Sequence, residues 1–387
     1  MPYRVFAGPT FAPAPHTRIF LRLRDHGAQA VDELGAALGL PENLVQEPVD
    51  ELVETGLADG PMLGGPYPSS ERLYRFRAEA GVVAAVDMDQ HELRLAISDL
   101  GGNVVHRSHE TSAPTVEPSV RIDTITDVVR SGLADAGLPV QSLLAVSVGV
   151  PGHIDRDGRV GPSPVIPRWD GVDLMGELTA RLGCPVHLFN DGTMASVAEA
   201  FLGFGAIDSD FLGDFVTVCL GRRLCVRQVI DRRPYTGVDR MAGRVAHLFG
   251  DRFDTFGQIA WQVDEDGDVV LDRALAGDQS AIDEIHEVIS GLAGGIAQMV
   301  LLTNPDVVVL GGSIASRLTP WRDAITTAVL RQIDDDGVRL DLRFSPLAGD
   351  GSIAGLLVMA LELATSALMD ESVPPPHPDA WTPLRER

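Results

Sequence analysis

The sequence predicts an α/β protein in two parts, a small head of three helices and a β-ribbon followed by a larger body of two related α/β lobes. Three observations carry this. Between residues 17 and 59 apolar residues recur at helical spacing in three short runs. From Gly81 the pattern changes to alternating strands. The order of β-meander, helix and buried strand then occurs twice. A chain of 387 residues is long enough to give each part its own core.

The head is expected over 17–78, behind a Pro- and Ala-rich arm at 1–16. Ile19, Leu21 and Leu23 mark its first helix. Val31, Leu34, Ala37 and Leu38 mark the second, and Leu44, Val45, Val49, Leu52 and Val53 the third. Gly39 and Gly56 stand where helices end in the left-handed conformation. The Gly/Pro-rich stretch from Gly60 to Pro68 leads into the alternating strand Arg72-Leu73-Tyr74-Arg75-Phe76. Three helices and a ribbon is the order of a winged helix-turn-helix, whose recognition helix here runs from Pro41 to Leu52. Asn43, Leu44, Gln46 and Glu47 lie at its leading end, and amide and carboxylate groups there are competent to read base edges. Arg72 and Arg75 on the ribbon, with Arg18, Arg22, Arg24 and Arg77, predict a modest basic face.

Charge works against that role. The recognition helix has no arginine and carries Glu42, Glu47, Asp50 and Glu51, whereas phosphate neutralisation normally dominates affinity for DNA. Pro48 interrupts it, at a cost on the order of 3 kcal/mol. The whole chain has a formal net charge of -24 and contains no lysine, so any anion must be held by arginine, histidine or backbone amides.

In the body, Val82 to Asp87, Leu93 to Ile97 and a third strand after Gly101-Gly102-Asn103 form a meander. A helix over 120–133 and the buried strand Leu143 to Val148 follow. Phe215 to Val218 and Leu224 to Ile230 open the second unit. A long helix around Ile282 to Leu302 then precedes the strand Asp306 to Gly312. Lobes are expected at 79–190 and 191–369 with a ligand cleft between them, and a disordered tail at 370–387, rich in proline. No run approaches 18 uninterrupted apolar residues and no secretory leader is legible, so the expectation is a cytoplasmic protein without a membrane partner. Cys184, Cys219 and Cys225 form neither a CxxC pair nor a disulfide framework.

Several motifs together resemble the ROK family of repressors, unassigned reading frames and sugar kinases. They are Gly149-Val150-Pro151-Gly152, Phe189-Asn190-Asp191-Gly192, Ala242-Gly243-Arg244-Val245-Ala246-His247 and Asn304-Pro305-Asp306 running to Gly311-Gly312, behind a head like that of the family's repressors. The resemblance spans about Thr17 to Leu363. It implies an actin/hexokinase-like (ribonuclease H-like) body, a homodimer and a DNA operator as partner. It also implies a ligand pocket at Gly152, Asn190, Asp191, Arg244 and His247, with Asp191 at the place of the kinases' general base.

Two departures from the family pattern bear on activity. The phosphate turn of the form Asp-x-Gly-Gly-Thr reads Asp87-Met88-Asp89-Gln90-His91, and the turn Gly-Thr-Gly-x-Gly reads Gly221-Arg222-Arg223-Leu224-Cys225. Phosphate oxygens approach such turns because glycine has no Cβ. A carboxylate at Asp89 beside a phosphate would cost on the order of several kcal/mol at an effective dielectric near 20. The body is therefore expected to be non-catalytic, using no cofactor and no metal; one histidine without the family's cysteine cluster does not make a zinc site. Arg244 replaces a sugar-binding glutamate and Val165 an asparagine; the partner expected is a small sugar-like or anionic effector, with Arg244 favouring an anionic or acidic ligand over a neutral hexose. The alternatives are an interaction or scaffold protein of the same fold and an active sugar kinase. The Asn190-Asp191 junction has a plainer role as well, with Asp191 or Thr193 capping the helix that follows.

Overall fold

The computed structural model describes residues 13–60, 73–111, 117–155, 158–161, 163, 166–203, 213–221, 223–254, 257–334, 337–374 and 376. The ribbon turn at Gly64-Gly65-Pro66, together with Arg72, Val165 and Arg222, lies outside them.

Helices Pro15–His26 (α1), Val31–Leu38 (α2) and Asn43–Glu54 (α3) build the head. α1 begins inside the stretch expected as an arm, because proline suits a first turn whose N–H has no helical partner. α2 ends at Gly39, where a φ of 65° is open to glycine without strain. Strands Gln29–Ala30 (β1), Ala58–Asp59 (β2) and Leu73–Phe76 (β3) pair antiparallel in the order β1-β3-β2. Ile19, Phe20, Leu23, Leu34, Val45, Val49, Leu52 and Tyr74 interlock beneath them, so the apolar face of each short helix meets the other two.

The first lobe runs Val82–Met88 (β4), Glu92–Asp99 (β5), Val104–Thr111 (β6), Pro118–Asp135 (α4), Leu143–Val150 (β7), Leu174–Leu182 (α5) and Val186–Asn190 (β8). Its sheet has the order β6-β5-β4-β7-β8, an antiparallel meander continued by parallel strands. The second lobe holds Asp191–Phe201 (α6), Phe215–Leu220 (β9), Leu224–Ile230 (β10), Arg233–Pro234 (β11), Gly267–Leu275 (α7), Gln279–Thr303 (α8) and Val307–Gly311 (β12). Ser313–Arg317 (α9), Arg322–Ile333 (α10), Leu342–Phe344 (β13) and Gly351–Met369 (α11) complete it. Its order, β11-β10-β9-β12-β13, repeats that of the first sheet.

One helix crosses that division. α11 lies at the chain position of the second lobe, yet it packs on α6 and on β4 and β7 of the first. β4 alternates accordingly: Val83 and Ala85 face α11, while Val82, Ala84 and Val86 face the core under α4 and α5. Close packing of α11 needs Gly355, where an added Cβ would lie 1.9 Å from the carbonyl oxygen of Met194. α8 and α11 are long and apolar enough to cross a membrane by composition, but their most apolar windows are 56% and 72% buried inside the fold. Both are core helices.

The segment after α11 is not a loose tail at its start. Val373 is fully buried, the Glu371 carboxylate accepts from the Ala14 N–H at 3.2 Å, and Arg24 Nη1 donates to the Pro374 carbonyl at 2.8 Å. This strap ties the body to α1, and the head shares one continuous apolar cluster with α6 and α11.

Candidate ligand cleft

The two sheets face each other across a cleft of about 1220 Å³, walled by the turn after β4, the β8–α6 junction, the β9–β10 hairpin and the start of α11. Each wall places a charged side chain, and the chemistry follows from how those charges pair.

The β4–β5 turn is tied to its own lobe. Asp87 is paired with Arg94 and accepts from Ser352 Oγ at 3.0 Å. Asp89 folds back, its Oδ1 accepting from the Gln90 N–H at 2.7 Å, and its carbonyl takes a bond from Arg121 Nη1 at 3.1 Å. From the opposite lobe, at the end of the β9–β10 hairpin, Arg223 enters this turn. Its Nη2 lies 3.3 Å from Asp89 Oδ1 and 3.5 Å from Asp191 Oδ2. One guanidinium thus links the β9–β10 hairpin to the β4–β5 turn and to Asp191 at the start of α6.

At the β8–α6 junction the helix cap is Asn190, not Asp191 or Thr193. Its Oδ1 accepts from the Thr193 N–H at 3.0 Å, and its Nδ2 donates to the Gly152 carbonyl at 3.0 Å and to Asp191 Oδ1 at 3.1 Å. The amide is fully engaged by the protein, which leaves it little capacity for a ligand hydroxyl. Asp191 Oδ1 also accepts from the Gly192 N–H at 2.8 Å. Burial pushes the Asp191 carboxyl up to about 6, opposed by Arg223 and reinforced by Asp87 and Asp89.

Arg227 is a site residue that motif reading missed. It stands on β10 opposite Thr217, on the sheet face that carries Cys219 and Cys225. It is only 7% exposed, and it donates to Thr193 Oγ1 at 3.1 Å, Asn190 Oδ1 at 3.0 Å and the Val226 carbonyl at 2.8 Å. The signal was an arginine on the inward register of a strand otherwise apolar on its other face. Cys219 and Cys225 are direct cross-strand neighbours, both free, with burial pushing their thiols up.

Arg244 lines the cleft and is exposed; among the described residues no ion pair or side-chain hydrogen bond holds it. Gly152 and Gly221 are also in the walls. His247, expected in the pocket, sits exposed on the turn Ala246–Phe249 and does not line it.

In the head, Asn43, Leu44 and Glu47 are exposed on α3, whereas Gln46 Nε2 is tied to Asp50 at 2.9 Å and to Tyr74 Oη at 3.3 Å. Among the described residues the expected basic face is partly compensated. Arg18 bonds the Leu38 carbonyl and Arg22 donates to Gln29 at 3.0 Å. Arg24 pairs with Asp25 at 2.7 Å, and Arg75 and Arg77 both meet Asp59, at 2.7 and 3.4 Å.

Two repeated sheets around a charged cleft define an actin/hexokinase-like body, and residues 83–257 match the ROK family. Relatives along its length are of two kinds. The xylose repressor of Caldicellulosiruptor bescii is 22% identical over 306 residues, covering 70% of this chain and 74% of the relative. The glucokinase of Thermotoga maritima is 25% identical over 312 residues, covering 68% of this chain and 96% of the enzyme. Among solved structures, a ROK family transcriptional regulator described as a homolog of the E. coli MLC protein superposes with a TM-score of 0.71. It is 17% identical and covers 92% of this chain and 98% of its own.

Proposed function

We propose that the chain is a sugar-responsive transcription regulator whose kinase-like body senses a ligand without phosphorylating it. The observation that carries this reading is Arg223, whose guanidinium lies between Asp89 and Asp191 where a transferred phosphoryl group would have to pass. Asp191, bonded to Gly192 and Asn190 and paired across the cleft, is poorly placed to accept a proton from a sugar hydroxyl. The similarity to named repressors supports the same reading, and the family's kinases supply the ancestry of the cleft.

A route from cleft to head supports it further. α11 starts beside Asp87, through Ser352, and its 19 residues span about 28 Å at 1.5 Å per residue. The segment after its last turn grips α1. A ligand that changes how the lobes close would act on one end of a rod whose other end holds the head. Asn43, Leu44 and Glu47 are the exposed α3 groups for base edges, and phosphate contacts are left to backbone amides and to residues beyond the described ribbon. Two copies pair through the exposed end of α8, where Leu301 and Leu302 are 54% and 77% exposed.

Selection from random DNA followed by salt titration tests the proposal. The expected result is an enriched motif whose log affinity falls linearly with log salt. Absence of enrichment at low salt favours the second reading, a protein-contact head, for which the acidic α3 and the engaged head arginines speak. Turnover of ATP with any sugar, lost in Asp191→Ala, would overturn the non-catalytic body.

A further inference from the structure

From the pairing of charges in the cleft we infer that its ligand is a small polyhydroxylated anion, one carrying a carboxylate or phosphate group, held by Arg244 with the charge of Arg227 behind it. The sugar character of the ligand rests on the reading above; its charge follows from the cleft alone.

Two of the arginines that line the cleft are matched by acids: Arg94 pairs with Asp87 and Asp350, and Arg223 with Asp89 and Asp191. Arg227 and Arg244 differ. Among the described residues neither has a carboxylate within ion-pair distance. Arg227, nine-tenths buried, is hydrogen-bonded only to neutral oxygens. Burying a cation without a counter-charge is unfavourable, and a protein with a formal net charge of -24 has no shortage of acids to pair with it. Of the acids on neighbouring elements, Asp191 is paired with Arg223, and Glu199, inward on α6, accepts from Ser345 and is not within ion-pair distance of Arg227.

Arg244 adds the geometry. It follows Gly243, which packs against the same strand; an added Cβ there would lie 1.9 Å from the Val226 carbonyl and 2.5 Å from Arg227 Nη1. The Arg244 side chain therefore leaves the chain beside Arg227 and projects into open cleft. Its field reaches His153, whose imidazole is held low by burial and then by Arg244 and Arg240. An uncompensated positive region on one wall is what a guanidinium needs to take a planar carboxylate or a phosphate by paired N–H donors. A neutral hexose offers it only hydroxyls, against an Asn190 amide already in use.

Calorimetry on the full chain would use five probes: glucose, gluconate, glucuronate, glucose 6-phosphate and inorganic phosphate. Gluconate or glucuronate binding identifies the carboxylate source, glucose 6-phosphate the phosphate source, and in either case glucose should bind at least about tenfold more weakly, a penalty of about 1.4 kcal/mol. Arg244→Gln should weaken the anionic sugar about tenfold or more and Arg244→Glu should abolish it, with the melting temperature of the unliganded protein unchanged because among the described residues the Arg244 side chain holds nothing in place. Glucose binding as tightly as the acids, inorganic phosphate as tightly as the sugars, an affinity indifferent to Arg244→Gln, or no probe binding at all would each overturn the inference. DNA binding distinguishes its failure from that of the regulator reading. A specific operator released only by neutral sugars sinks this inference and spares that reading, and anionic sugar binding without any DNA specificity does the reverse.

Discussion

The arginines of the head and those of the cleft are the same chemical group in opposite situations. On α1 and the ribbon, Arg24, Arg75 and Arg77 meet Asp25 and Asp59, whereas among the described residues Arg18 and Arg22 bond only neutral oxygens and keep their charge, so the basic face is reduced and not removed. In the cleft, Arg223 is bridged between two acids, while Arg227 and Arg244 meet no carboxylate among the described residues. The lesson is that counting cations locates neither a nucleic-acid surface nor an anion site. What matters is which charges the fold leaves uncompensated.

The largest effect is expected where the compensation spans the lobes. Arg223→Ala leaves Asp89 and Asp191 facing each other half-buried, and should lower stability by about 2–4 kcal/mol in urea titration. A loss too small to resolve would mean that the bridge contributes nothing to lobe closure.

Asp191→Asn should have the opposite sign. A carboxyl raised from 3.8 to about 6 by burial makes the folded state bear the cost of ionisation above pH 6, and that cost is relieved as pH falls towards 4. The variant should therefore be more stable than the parent by about 1–2 kcal/mol at pH 8. The difference should shrink towards zero only below about pH 3, under the unfolded carboxyl's 3.8, where the parent's carboxyl is protonated whether folded or unfolded. A gain that is constant from pH 8 to pH 4 would show that the carboxyl is not perturbed.

Arg227→Met keeps the volume while removing a charge that has no acid partner. Its cost in the unliganded protein should be below about 1 kcal/mol, since the loss of hydrogen bonds to Thr193 and Asn190 is offset by relief of desolvation. A cost as large as that of Arg223→Ala would break the distinction between the two arginines. Smallest of all, Arg75→Ala on the exposed ribbon should leave the urea midpoint unmoved, because exposed pairs such as Arg75 with Asp59 are screened by solvent.

Much of this was legible in the residues themselves. Helical periodicity located α1 to α3, and period-two alternation located the paired meanders, because both follow from burying one face of a local element. The loss of glycine from both phosphate turns was readable for the same reason: it is a property of a few adjacent residues. Asn190 as helix cap was not, since Asn, Asp and Thr at 190, 191 and 193 are all competent and the choice lies in backbone geometry. Nor were the partners of the head arginines, of which Asp59 on β2 is set opposite Arg75 on β3 by the register of the ribbon.

By itself, then, the sequence determined which segments fold into which elements, the repeated order of the body and the replacement of bare backbone by side chains at the turns, since each is encoded in neighbours along the chain. Tertiary structure alone decided that α11 returns to close the first lobe and grips α1 beyond its end, and that Arg223 crosses to Asp89 and Asp191. It also decided that Arg227 and Arg244 are left without acids. Pairing of charge depends on distances between residues far apart in sequence, and only the packed chain sets those distances.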